Sequence, residues 1–358
     1  MDYGRSTGGE RGNGHEETDS LEADDLSRAA ASRGNGHEGW PAVSGVETAE
    51  TRSRPGSDIG APEDGPGSDG GPGSDGGPGA NLYDLRPAGR PVRKDEIVVE
   101  DRGLYIESWL PERRSRRRPL LLLHGELGGS WLWERYLSYF AQRGWEGHAL
   151  NLRAHFWSET AEMEQLDFNS YLDDAAAGLM AIGRPAVVVG HGMGGLLAMK
   201  LAERAPVQGI VLLSPALPRP IRPEAPRHVV RLVPPLFRRE LLGWAGPPEQ
   251  IQRANPDLTL RDVLRIQHLM GAESGAARRQ MLEGVTIDRD ALAGVPILVV
   301  GAGVDRMFPE PDSERLADWL GAEYQPFGAH SHYGLLVGEG SHEQVAEAVR
   351  FFLEHHRL

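Results

Sequence analysis

The sequence predicts an α/β fold in which helices flank a mostly parallel central sheet and a helical segment is inserted late in the chain. Three observations predict it. Short, continuously apolar runs (PLLLL, AVVVG, GIVLL, PILVVG) recur between residues 119 and 301, as strands buried on both faces require. Helical stretches fill most of the gaps between them, the alternation of a parallel sheet. Gly190-His191-Gly192-Met193-Gly194-Gly195 stands where AVVVG passes straight into the helical stretch LLAMKLAER, a strand, sharp turn and helix.

The chain has 358 residues, a formal net charge of −14 and no cysteine. Its first 80 residues hold 16 acidic against 6 basic side chains and repeat Pro66-Gly-Ser-Asp-Gly, Pro72-Gly-Ser-Asp-Gly and Pro78-Gly-Ala-Asn. Such a composition cannot bury enough apolar area to offset chain entropy. Residues 1–85 are therefore expected to be a disordered acidic tail, and residues 94–358 one domain.

Order begins near Glu96, where EIVVED and LYIESWL read as a hairpin around the two-residue turn Arg102-Gly103. Further strands are expected at Pro119–Leu123, Gly147–Leu150, Ala186–Gly190, Gly209–Leu213, Pro296–Gly301 and Glu323–Phe327. Apolar residues at helical spacing mark Trp131–Arg143, Ser170–Ile182, Gly194–Arg204, Pro311–Leu320 and Ser341–His355. Between Pro215 and Leu292 the alternation stops. This Pro-, Arg- and Leu-rich stretch has a helical pattern and no convincing strand, so residues 216–290 are expected to form a helical cap.

Composition excludes several classes of function. Without cysteine there is no disulfide, thiolate zinc site or Cys nucleophile. No H-E-x-x-H occurs, and Gly190-x-Gly192 with Gly195 imitates a dinucleotide fingerprint but lies deep in the chain instead of in the first βα unit. No metal and no cofactor is expected. Outside the tail 36 acidic residues face 32 basic ones, which gives no electrostatic reason for a nucleic-acid or anionic-membrane partner. No 18-residue apolar stretch suggests a membrane span, and the amino terminus lacks the pattern of a secretory signal. A small-molecule substrate or ligand and the cytoplasm are the expectations.

At the strand–helix junction the turn is so tight that its flanking positions must be small, and Gly190 and Gly194 supply both. The sequence here resembles the α/β-hydrolase family, more narrowly its esterases, lysophospholipases and monoacylglycerol-lipase-like members with a G-H-S-M-G-G elbow. The resemblance covers about residues 94–358. His124-Gly125 after PLLLL matches the oxyanion-loop motif, and Asn151-Leu152-Arg153 matches the segment after the next strand, with Arg153-Ala154-His155 where the family usually has Arg-Gly-His.

The resemblance implies an acid at Asp305, in Gly301-Ala-Gly-Val-Asp305-Arg-Met-Phe-Pro309, and a histidine in Ala329-His330-Ser331-His332-Tyr333-Gly334. His332, which precedes an aromatic residue and an apolar run, is favoured over His330. His191 is an elbow residue, not a base. The bland alternative for Asp305 is a turn residue or the cap of the helix that begins near Pro311.

At the position of the family's nucleophilic serine stands Gly192, so an acyl-enzyme route through an activated hydroxyl cannot run. What the resemblance leaves is an Asp-oriented imidazole and an oxyanion hole made of the backbone donors of Met193 and Glu126. Three readings stay open: a hydrolase-family enzyme of altered chemistry, with the His332–Asp305 pair as general base on water or an acidic substrate proton; a catalytically silent protein that binds a ligand or partner; and an isolated change in an ordinary esterase. The Glu126 carboxylate is expected to face solvent, the alternative being a base turned into the pocket. Apolar residues from Val229 to Trp244 either line an acyl or aromatic pocket or pack the cap, and five arginines from Arg219 to Arg238 could meet an anionic head group.

Overall fold

Residues 92–113, 116–219 and 221–358 are described by the computed structural model. The tail expected over residues 1–85 lies outside them. Two antiparallel strands, β1 (Val92–Val99) and β2 (Leu104–Pro111), lead into six parallel ones: β3 (Leu120–Leu123), β4 (Gly147–Asn151), β5 (Val187–His191), β6 (Gly209–Leu213), β9 (Ile297–Ala302) and β10 (Glu323–Phe327). They form one sheet in the order β1-β2-β4-β3-β5-β6-β9-β10, with β2 antiparallel to β4. The hairpin turn is longer than its sequence suggests. Glu100–Arg102 make a turn of 3-10 helix, closed by Gly103 at φ 62°, a left-handed conformation that glycine adopts at little cost.

The continuously apolar strands are explained by the two cores they separate. Along β5, Val187 and Val189 point into one core and Val188 into the other, as the two-residue period of a strand dictates. One face is covered by α1 (Glu134–Gln142) and α10 (Ser341–His355), which contribute Tyr136, Phe140, Val345 and Phe352. The other is covered by α2 (Phe168–Ile182), α3 (Met193–Ala202) and α8 (Glu310–Leu320), through Tyr171, Leu196 and Leu316. Each fully buried side chain of this kind contributes about 1.5–3 kcal/mol relative to exposure. Helix α2 starts at a capping box in which Asp167 and Ser170 exchange side-chain-to-backbone bonds. Among the described residues no helix is long and apolar enough to cross a membrane.

The inserted stretch between β6 and β9 carries helices α4 (Arg227–Leu232), α5 (Pro248–Ala254), α6 (Leu260–Leu269) and α7 (Gly275–Glu283). It also holds what its sequence did not suggest, a two-stranded antiparallel sheet of β7 (Leu236–Arg238) and β8 (Ala272–Ser274). Three residues per strand are too few to display a period, and their partners lie far apart in the chain. The pairing is possible because Gly275 brings its backbone against the Pro234 carbonyl, where a Cβ would collide. A short helix, α9 (Gly334–Val337), joins the loop after β10 to α10.

Candidate active site

The C-terminal ends of β3, β5, β6 and β9 converge on Gly192, between β5 and α3. Gly192 has φ 55° and ψ −119°, a strained region for any residue with a side chain. Its neighbours make the turn sterically exclusive: a Cβ on Gly190 would strike the Gly194 carbonyl, and one on Gly194 would strike the Leu123 carbonyl. At Gly192 itself the situation differs. A Cβ there would lie 3.4 Å from Cε1 and Nε2 of His332 and 3.4 Å from Phe308, ordinary contact distances, so space for a small side chain is present beside the imidazole.

His332 occupies the loop after β10, and its Nδ1 lies 2.7 Å from Oδ2 of Asp305, in the turn after β9. The Asp305 carboxylate is almost completely enclosed. Oδ2 also accepts from the Ser214 hydroxyl, and Oδ1 accepts from the Met307 and Phe308 amides at 2.6 and 2.9 Å. Burial alone would raise its pKa, but the charge of His332 and these hydrogen bonds outweigh burial and hold it below the usual carboxylate range. An ionised Asp305 fixes the tautomer in which Nδ1 donates and Nε2 is left to accept. Among the described residues Nε2 has no protein hydrogen-bond partner. Asp305 thus does both of the things weighed for it, closing the turn ahead of α8 and bonding the histidine.

His330 faces elsewhere. Its Nε2 approaches the Ser341 carbonyl at 3.3 Å, and its own carbonyl accepts from the Val304 amide, bracing the turn that carries Asp305. His191 sits under His332, with ring centroids 4.0 Å apart, and its Nε2 donates to the His332 carbonyl at 3.0 Å. Burial and then the neighbouring His332 push its pKa well below the usual value, so it is a neutral prop for the loop. Ser214 and Phe308 were not singled out from the sequence. Ser214 follows β6 with φ 42°, a conformation that leaves no composition signal.

The loop after β3 presents Glu126, whose amide has no backbone acceptor among the described residues. Met193 opens α3, so its amide belongs to the first-turn donors that lack an intrahelical acceptor. The Glu126 side chain corrects the expectation of solvent exposure: it is 3% exposed and ion-paired with Arg278 of α7. The inserted segment covers it, which no local sequence pattern reveals. Its second oxygen, Oε2, is buried without a hydrogen-bond partner. The next residue, Leu127, has φ 61° and is gripped by the same segment. Its carbonyl accepts from the Gly271 amide at 3.0 Å and its amide donates to Glu273 at 3.4 Å.

Glu273 is itself fully buried. It accepts from Tyr171 at 2.7 Å and contacts His155 Nε2 at 3.3 Å. Burial would lower His155 and raise Glu273, but their mutual attraction wins in both, raising His155 and lowering Glu273.

Comparison with known proteins places this arrangement. Esterase PIR7B of Oryza sativa subsp. japonica is 32% identical over 109 residues, 29% of this chain and 41% of that esterase, so the chain matches about two fifths of its length. A bromoperoxidase from Bacillus anthracis superposes with a TM-score of 0.57 at 15% identity, over 73% of this chain and all of that one. A hydrolase from Pseudomonas aeruginosa PA01 gives 0.55 at 21% identity, over 73% of this chain and 98% of that one. These likenesses show the α/β-hydrolase fold. The family model described as serine aminopeptidase, S33 (Hydrolase_4) matches residues 114–327, more than half of the chain. The chain therefore belongs to the serine aminopeptidase S33 family of α/β-hydrolases.

Proposed function

We propose that this protein hydrolyses an ester-like carbonyl substrate without a covalent intermediate, His332 acting as general base on a water held where the family serine would stand. The observation that carries the reading is the space beside Gly192. It lies 3.4 Å from His332 Nε2, and Nδ1 of the same ring is tied to an ionised Asp305. A water in that space gives its proton to Nε2 as its oxygen attacks the carbonyl carbon. The resulting oxyanion takes the amides of Met193 and Glu126, and its collapse expels the alcohol oxygen, which recovers the proton from the imidazolium. Asp305 stabilises that imidazolium throughout and stays ionised.

The esterase name of the rice relative supports an ester-like substrate. Without a serine, turnover is expected at roughly 10³–10⁴ over water, the level left by binding and oxyanion stabilisation when a triad member is missing. The test is the mass of the protein quenched during turnover of a nitrophenyl ester. An unmodified mass and linear product release are expected. An acyl adduct, or a burst equal to the enzyme concentration, contradicts the reading.

A further inference from the structure

Two arginines flank helix α7 beside the site, and only one of them has an acid. Arg278 is clasped by Glu126 and lies over the Phe237 ring, 4.2 Å from its centroid. Arg222, half-buried, donates from Nε to the Leu282 carbonyl at 3.1 Å. Leu282 follows Arg278 by four residues, so the two guanidinium attachments sit one turn apart on one face of α7, about 6 Å. Among the described residues no carboxylate contacts Arg222.

Its electrostatic neighbours locate it. Burial disfavours its charge, Asp312 and Glu126 support it, and Arg278 opposes it. Asp312 lies four residues after Phe308, which borders the space at Gly192, while Glu126 and Arg278 belong to the oxyanion side. The chain leading to Arg222 starts at the elbow, where the Ala216 amide donates to the Gly192 carbonyl at 3.1 Å. A second, independent feature at the same place also lacks a partner: the buried Oε2 of Glu126.

We infer that the site takes a carboxylate-bearing substrate, its carboxylate on the Arg222 guanidinium and a hydroxyl or N–H group of the same molecule on Oε2 of Glu126. This rests on the proposed carbonyl chemistry and names the class of molecule that chemistry serves. A planar guanidinium already held at Nε offers its two remaining nitrogens as a fork for a carboxylate, and a half-buried cation without an acid gains most from receiving one. Glu126 remains paired through its other oxygen, so the ligand completes its hydrogen bonding without displacing Arg278.

Binding to the natural full chain is measured by calorimetry with 3-hydroxyglutarate, glutarate and neutral glutaramide, beside Arg222→Gln and Arg222→Lys, with each variant's melting checked. The expected result is affinity for 3-hydroxyglutarate at least tenfold above glutaramide and about fivefold above glutarate. Arg222→Gln is expected to lose tenfold or more, with partial recovery in Arg222→Lys. Glutaramide binding as tightly, or a folded Arg222→Gln binding unchanged, overturns the inference. Equal affinity for glutarate and its hydroxy analogue overturns the role given to Glu126. Hydrolysis of neutral nitrophenyl butyrate, compared with His332→Ala, tests the general-base reading separately. Dependence on His332 with no carboxylate preference sinks this inference alone.

Discussion

A residue with no side chain carries the account, and its backbone says what its replacement should do. Gly192 holds φ 55° beside a space that admits a Cβ at ordinary contact distance. Serine fits there sterically but not conformationally. Gly192→Ser is expected to cost about 1–3 kcal/mol of stability, read by urea unfolding, while raising nitrophenyl ester hydrolysis by about 10²-fold or more. A neutral change in stability would contradict the backbone argument. Adding His332→Ala should remove the gained activity.

Ala154 presents the reverse case. It stands where the resembling family usually has glycine, and the structure gives it φ 61°. Ala154→Gly should stabilise by about 0.5–1 kcal/mol, and an unchanged or lower melting temperature contradicts this. Both positions were legible in the sequence as departures from a motif. Ser214, bonded to Asp305, was not, because a lone serine after a strand resembles any other.

At the scale of elements, β8 and α7 of the inserted segment hold the oxyanion loop. The Gly271 amide, Glu273 and Arg278 take the Leu127 carbonyl, the Leu127 amide and the Glu126 side chain in turn. The left-handed Leu127 persists because these contacts over-determine it. Glu273→Ala removes the acid paired with the buried His155 and should cost about 3–5 kcal/mol, measured by denaturant unfolding; a loss below about 1 kcal/mol contradicts the clasp. The main strands were readable because burial on both faces makes them continuously apolar. The clasp was not, since Glu126 and Arg278 are 152 residues apart and β7 and β8 are too short to show a period. Sequence reasoning placed Glu126 in solvent for that reason, having no view of what covers the loop.

Over the whole molecule, the sheet order puts Gly192, Asp305 and His332 together from three widely separated segments, and the sequence anticipated that grouping through motif order alone. The same burial sets the pH response. Burial lowers His124 to about 3 and His148 to about 4, and it pushes His191 lower still. Between about pH 6.5 and 4 the unfolded chain protonates these histidines while the folded one does not. Stability therefore falls with pH in that window, by about 1.4 kcal/mol per pH unit for each group. His155, whose pKa is raised, already carries its proton there and adds no loss, while the lowered Asp305 and Glu273 lose their contributions only at lower pH. Urea unfolding at pH 7.5, 6 and 5 should show the decline, and a flat or rising profile contradicts it.

The most direct test of the central claim is nitrophenyl ester hydrolysis by the natural chain beside His332→Ala. The account predicts slow turnover above the uncatalysed rate that His332→Ala abolishes, at a position where no nucleophilic side chain exists. Equal rates for the two proteins, or no turnover by the natural chain where Gly192→Ser is active, would mean that His332 is not a working base and that the site binds without reacting.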